Sequence, residues 1–371
     1  MAAIYRAEVI GSMLRPAYLK DARREHDEGR LATGEFKQVE DRAVDEAIAL
    51  QERCGVDVVT DGEMRRTHFI APLTDVITGV KPIPAFTRVW RRPHDRGEET
   101  QRTEIQVQYA VVDRIRRTRS LISEEFAYAR ARAHCPIKVT LPSPLMMTLR
   151  WSPDYSREAY PDPFDLFNDA AEIVRAEATE LAALGCRYIQ IDAPELGMLC
   201  DPERRQQDFA DRGMDPERLL SDGIDIINSV AAISGVTFGL HLCRGNNQGF
   251  YVGEGGYDDI ARRVFQRASR FSLLLLEYDD WRSGSFEPLR EVPRDKGVVL
   301  GLISTKRVET EAPEQIITRI EEASRYFPLE QLALSTQCGF GTVWEGNPIP
   351  AATQENKLRL VADVAHRVWP S

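Results

Sequence analysis

The chain has 371 residues, 43% hydrophobic and 29% charged, a globular composition that excludes disordered, collagen-like and coiled-coil chains. Its 48 basic and 58 acidic residues give a net charge of −10, so there is no electrostatic case for a nucleic-acid partner. No apolar run approaches the roughly 20 residues that span a bilayer, and MAAIYRAEVIGSMLRP lacks the regions of a signal peptide; a cytoplasmic chain with no membrane partner is expected.

Taken in order, eight short apolar runs read as strands: Ala7–Ser12, Asp57–Asp61, Ile137–Pro142, Tyr188–Asp192, Thr237–Cys243, Leu273–Glu277, Val298–Ile303 and Leu332–Gln337. Several are nearly continuous Val, Ile and Leu, the pattern of parallel strands buried on both faces. Helical stretches alternate with them, among them Gln38–Arg53, Asp165–Leu184, Pro216–Ala232, Ala312–Tyr326 and Gln354–Val368. In Asp165–Leu184 the apolar residues Leu166, Ala170, Ile173, Val174, Ala178 and Leu181 recur near helical spacing, and Gly185 ends the helix.

Eight strands alternating with helices predict an α/β fold, a (β/α)8 TIM barrel. An open doubly wound sheet is the alternative, but no Gly-x-Gly-x-x-Gly follows the first strand. A single catalytic domain over 1–371 is expected, carrying an insertion over about 64–120. About 75 residues separate the second and third strands, more than one helix needs. Within them Phe86–Trp90 and Thr103–Val112 are strand-like and flank a polar turn, Arg91–Arg102. A hairpin or lid after strand two would project over the C-terminal mouth, where barrels build their sites; a surface excursion without a role is the plainer reading.

Polar residues gather at the ends of the predicted strands. They are Ser12, Asp61 with Glu63, Ser143, Asp192, His241 with Cys243, Glu277, Ser304 with Thr305, and Cys338. In a barrel all of these converge on one mouth. His241-Leu242-Cys243 sets two ligands at i and i+2, on one side of an extended strand. Glu277 and Cys338 arrive from later strand ends, completing a soft set that suits zinc better than magnesium or calcium. Each taken alone has a plainer reading, since a strand-end cysteine is commonly an inert core residue. Glu277 is harder to treat so, because a carboxylate ending a buried strand requires a partner. Six cysteines are too few for a disulfide framework; Cys54, Cys135, Cys186 and Cys200 are expected to be structural.

Six separated motifs carry a family resemblance. They are Val9-Ile10-Gly11-Ser12 with Arg15-Pro16, Thr60-Asp61-Gly62-Glu63 with Arg65-Arg66, Ile189-Gln190-Ile191-Asp192 with Pro194, His241-Leu242-Cys243-Arg244-Gly245-Asn246, Leu276-Glu277-Tyr278-Asp279, and Gln337-Cys338-Gly339-Phe340. In this order they resemble the catalytic half of the cobalamin-independent methionine synthases and its single-domain bacterial relatives, over nearly the whole chain. The resemblance implies zinc on His241, Cys243, Glu277 and Cys338, activation of a substrate thiol, and Glu277 as the ligand that yields to it. It also implies that Gly11 and Ser12 hold the carboxylate of an amino-acid thiol, while Glu63 and Asp192 face its α-amino group. Glu277 and Asp192 are thus the expected catalytic carboxylates.

The departures concern the methyl donor. Ala193 stands where the long enzymes have a second acid, Met198 near a glutamate used for folate, and Ser304-Thr305-Lys306 where they carry a histidine proton donor. The half that helps bind polyglutamylated folate is expected to be missing.

The leading expectation is a zinc-dependent methyltransferase of methionine biosynthesis, acting on homocysteine or a similar small thiol with a folate or other methyl donor. Its aromatic lid is compatible with a homo-oligomer. The alternatives are thiol alkylation resembling epoxyalkane–coenzyme M transferase, a metal-free decarboxylase or lyase on the same barrel, and a barrel that merely binds a ligand.

Overall fold

Residues whose side chains are apolar on both faces pair as parallel strands, because only a sheet covered on both sides buries them all. The computed structural model describes residues 4–93, 99–120 and 122–370. Its strands are β1 (Ala7–Glu8), β2 (Val80–Pro93), β3 (Glu99–Val111), β4 (Lys138–Pro142), β5 (Tyr188–Asp192), β6 (Thr237–Leu242), β7 (Leu273–Glu277), β8 (Gly297–Ile303) and β9 (Leu332–Thr336). Seven form one parallel sheet in the order β1-β9-β8-β7-β6-β5-β4, and β2 pairs with β3 as an antiparallel hairpin. The fold is the predicted α/β barrel. No helix among the described residues is long and apolar enough to cross a membrane.

The sheet closes through the segment around Val59, which lies between β1 and β4. Asp57 N donates to Ala7 O at 2.8 Å on one side, and Val59 N donates to Pro136 O at 2.9 Å on the other. Strand two, expected over Asp57–Asp61, is reduced to a bridge between Val59 and Ile137. The reason is a side chain. Gln51, on the preceding helix Thr33–Cys54, accepts from Thr60 N at 2.9 Å and donates to Thr60 O at 2.8 Å, taking the groups a neighbouring strand would use.

The first strand is also shorter than the expected Ala7–Ser12. After Glu8 its main chain turns to other partners: Ile10 N meets Thr336 Oγ1 at 3.4 Å and Ser12 O accepts from Phe340 N at 2.8 Å. The hairpin is longer than expected, with strands reaching Pro93 and Glu99; of the predicted turn Arg91–Arg102, residues 94–98 lie outside the described residues. The expected helix Pro216–Ala232 is divided into Pro216–Arg218, a wider turn over Leu219–Gly223, and Ile224–Val230.

Alternation along the strands sorts two cores. Leu273 and Leu275 pack inside the barrel with Ile10, Val58, Tyr188, Val299 and Ala333, whereas Leu274 and Leu276 join the core beneath the outer helices. Buried beside the inner core lies a polar set: Lys138 Nζ donates to Glu8 Oε2 at 2.6 Å and Tyr188 OH to the same oxygen at 3.1 Å. All three are almost fully excluded from solvent.

Candidate metal and substrate site

The inward alternation of β6 continues past its last residue. Leu240 and Leu242 face the outer core, so His241 and Cys243 face the barrel interior. Cys338 reaches the same place from the end of β9, and the three ligand atoms all lie within 4.8 Å of one another. His241 Nδ1 sits 3.1 Å from Leu275 O. A carbonyl only accepts, so Nδ1 carries the hydrogen and the Nε2 lone pair is left free. Nε2 is buried without a hydrogen-bond partner. An orphaned imidazole nitrogen facing two sulfurs fits a soft divalent metal such as zinc. The Cys243 thiol donates to Cys338, which together with His241 holds Cys338 well below the usual thiol range, while Cys243 is pushed up.

Glu277, expected as a fourth ligand, stands outside that trio of atoms. Its Oε1 accepts from Lys306 Nζ at 2.9 Å and Arg282 Nη2 at 3.2 Å, and its Oε2 from Arg244 N at 2.7 Å. Burial alone would raise this carboxyl, but Lys306, Arg282 and Arg244 outweigh it and hold it below the ordinary carboxylate range. Lys306 and Arg282 are long side chains folded into the interior, which the strand pattern does not reveal. All six cysteines are free; Cys54, Cys135, Cys186 and Cys200 do not belong to the ligand trio.

Gly11, Ser12, Glu63 and Asp192 line the same cavity as His241, Cys243 and Cys338, a space of about 740 Å³, within the range of small-molecule sites. Glu63 holds φ at 54°, a left-handed conformation that costs a non-glycine residue of order 1 kcal/mol. Asp61 steadies it, accepting from Glu63 N at 2.9 Å. A relay then fixes the carboxylate: Arg66 Nη1 donates to Thr140 Oγ1 at 2.9 Å, and Thr140 Oγ1 donates to Glu63 Oε1 at 2.7 Å. Glu63 Oε2 is buried without a partner.

Gln190 Nε2 ties Asp192 Oδ1 at 2.6 Å to Ile10 O at 2.9 Å. Burial pushes the Asp192 carboxyl up to about 7, with His241 opposing and Glu63 adding to the rise. Two carboxylates on one cavity wall are suited to an ammonium group. Ser12 is pressed against Gly339, where a Cβ would lie 2.0 Å from Ser12 Oγ. Only a residue without a side chain permits this approach.

The hairpin contributes Trp90 and Gln108 to the cavity, opposite Met146, Leu149 and Met198. It is strapped to the loop after β6, since Arg91 N donates to Tyr251 O at 2.9 Å and Tyr251 N to Arg91 O at 2.8 Å. Arg91 also pairs with Glu203 at 2.7 Å. Thr140, Gln190, His68 and Arg150 were not singled out from the sequence as site residues; each borders or buttresses the cavity through tertiary packing, which leaves no local pattern.

Residues 6–366 match the family model described as the catalytic domain of cobalamin-independent synthase. The uncharacterized protein YxjH of Bacillus subtilis (strain 168) is 34% identical, over 99% of this chain and 95% of its own. A methionine synthase of Saccharolobus solfataricus is 26% identical over 89% of this chain and 86% of its own. Among solved structures, a putative vitamin-B12 independent methionine synthase from Listeria monocytogenes superposes with a TM-score of 0.74 at 26% identity, covering 100% of both chains. The fold of a B12-independent methionine synthase from Shewanella sp. W3-18-1 agrees with a TM-score of 0.76 at 21% identity, over 99% of this chain and 98% of that one. The chain belongs to the family of the cobalamin-independent synthase catalytic domain.

Proposed function

We propose that the chain is a zinc-dependent methyltransferase that moves a methyl group onto a small amino-acid thiol such as homocysteine, in the cytoplasm, as a step of methionine synthesis. The observation that carries this reading is the trio His241, Cys243 and Cys338 opening onto one cavity with Glu63 and Asp192. Residues 1–371 act as one catalytic unit, with about 64–120 inserted.

Zinc on the trio would stabilise a bound thiol as its nucleophilic thiolate near neutral pH. The remaining work falls to the chain's own groups. Leu275 O fixes the His241 tautomer that presents Nε2 to the metal position. Glu277, whose Oε1 is held by Lys306 and Arg282, would be the further ligand to the metal and the one to yield to the substrate sulfur. Glu63 Oε2 and the Asp192 carboxylate take the α-ammonium, and Gly11 with Ser12 takes the carboxylate. Trp90, Met146 and Met198 line the cavity with apolar surface, which would keep water from the reacting atoms. The sulfur–carbon bond forms as the carbon–donor bond breaks, and the leaving group keeps the bonding pair.

The test holds homocysteine fixed and compares methyltetrahydrofolates, methylcobalamin, S-methylmethionine and small epoxides, following loss of free thiol and formation of methionine. Methionine from at least one methyl donor is expected; reaction with epoxides alone would overturn the reading. Zinc below about half an equivalent after gentle purification would count against the metal, given the tight binding of His and Cys sets.

A further inference from the structure

Glu63 can serve an ammonium only while its carboxylate is turned toward the cavity, and the groups that turn it stand behind the wall. Glu63 lines the cavity, and its Oε2 is buried without a hydrogen-bond partner. The other oxygen, Oε1, is engaged by Thr140, in the middle of β4. Val139 and Leu141 on either side face the outer core, so Thr140 faces the barrel interior.

A threonine hydroxyl has one proton to give. Arg66 Nη1 donates to Thr140 Oγ1 at 2.9 Å and to Thr140 O at 3.1 Å. A guanidinium never accepts, so the Thr140 proton is committed to Glu63 Oε1, 2.7 Å away. Arg66 is fixed from its far side by Glu125, on the helix Ile122–Arg130, whose Oε2 accepts from Nε at 3.1 Å. All four side chains are almost fully excluded from water, where hydrogen bonds to charged groups are strongest.

Arg66 Nη1 also lies 3.7 Å from Glu63 Oε1. That is too long for a hydrogen bond and short enough for capture. Without the hydroxyl, the carboxylate would turn onto the guanidinium and spend its charge there. Thr140 is thus a spacer between opposite charges. Gly11 makes the room: a Cβ there would lie 2.6 Å from Glu63 Oε1 and 3.1 Å from Thr140 Cγ2.

We propose that Thr140 is a specificity-determining positioning residue. Its hydroxyl, oriented by Arg66, holds the Glu63 carboxylate off the guanidinium and leaves Oε2 to an ammonium, so the site selects an amino thiol over the same thiol without its amino group. The class of ligand rests on the thiol reading given above.

The full zinc-loaded chain is titrated by calorimetry with L-homocysteine and with 4-sulfanylbutanoate, which differ only in the α-amino group. The unaltered chain is expected to prefer homocysteine about a hundredfold, a factor of about ten for each of Glu63 and Asp192. Thr140→Val, which keeps the side chain's shape, should cut the preference to about tenfold. Thr140→Ser keeps the hydroxyl and should restore most of it; Thr140→Ala is a second hydroxyl-free variant if the valine packs badly. 4-Sulfanylbutanoate should bind the unaltered chain and the variants alike, whereas a loss of packing alone would weaken both ligands together. A preference that survives in both hydroxyl-free variants overturns the proposal, as does a serine variant no better than the valine, or a parallel fall in both affinities. Equal binding of the two ligands to the unaltered chain, or none, takes the ammonium from Glu63 and the proposal with it, even if methionine forms. Failure of every donor in the activity screen, with the hydroxyl-dependent preference intact, would sink the methyl-transfer reading and leave the role of Thr140 standing.

Discussion

Lys306 Nζ and Arg282 Nη2 share a single oxygen of Glu277, at 2.9 and 3.2 Å, in a pocket from which water is almost fully excluded. Glu277→Gln removes the anion and leaves both cations in place, and breaking such a buried pair costs about 3 kcal/mol. The expected result is an earlier urea midpoint with most of the zinc retained, because His241, Cys243 and Cys338 are untouched. Loss of zinc to the level of a cysteine variant would mean that Glu277 holds the metal as firmly as the cysteines do.

Cys243→Ser and Cys338→Ser are expected to lose zinc and activity together, read by metal analysis of the purified chains. Asp192→Asn should keep its zinc and bind homocysteine about tenfold more weakly, the scale of one charge-assisted contact. Full zinc in both cysteine variants would dispose of the proposed metal site.

Gly339→Ala places a methyl group where Ser12 Oγ already lies, 2.0 Å from the ideal Cβ position. Overpacking of this kind costs about 1–3 kcal/mol and displaces Ser12 from the cavity. Thermal unfolding should show the loss, and the double variant with Ser12→Gly should recover part of it. A double variant no more stable than Gly339→Ala would mean that the clash is relieved elsewhere.

Glu195 follows Pro194 in the motif and is buried. Burial pushes its carboxyl up to about 8, with the nearby Ser143 hydroxyl opposing and Asp192 adding to the rise. The folded chain therefore keeps a proton that the unfolded chain releases near pH 4.5, and stability falls as pH rises from that value to about 8. Over that window the loss approaches about 4 kcal/mol. Glu195→Gln should flatten the curve, leaving the variant more stable than the parent at pH 8 and little different at pH 4. Parallel curves would show that Glu195 is already ionised in the fold.

How far the fold was legible depended on where each backbone group finds its partner. Tyr188–Asp192 and Leu273–Glu277 begin and end as predicted, because strands buried on both faces advertise themselves as apolar runs. Strand two does not, since Gln51 supplies from a helix the hydrogen bonds that a strand would have provided. The mouth residues Gly11, Ser12, Glu63, Asp192, His241, Cys243 and Cys338 share one cavity, as their positions at strand ends require. The pairing of Glu277 was only half legible: Ser304-Thr305-Lys306 was placed at the site, but Arg282 reaches Glu277 from the short turn Trp281–Ser283, whose sequence reads as ordinary surface polarity. Arg150 on the cavity wall was hidden, because its neighbours come from the hairpin.

The polar plug of Glu8, Lys138 and Tyr188 beside the barrel's inner core bears on traffic. Lys138 and Tyr188 begin β4 and β5, so the plug fills the end of the barrel away from the cavity built at the strand ends, and reactants reach that cavity from the mouth. His241, Cys243 and Cys338 are nearly buried, whereas Trp90 and Arg150 nearer the rim are partly open. In the proposed reaction a thiol bound at the trio would enter before a companion settles nearer the mouth, and leave after it. The depth of the trio thus orders the proposed two-substrate reaction as first in and last out.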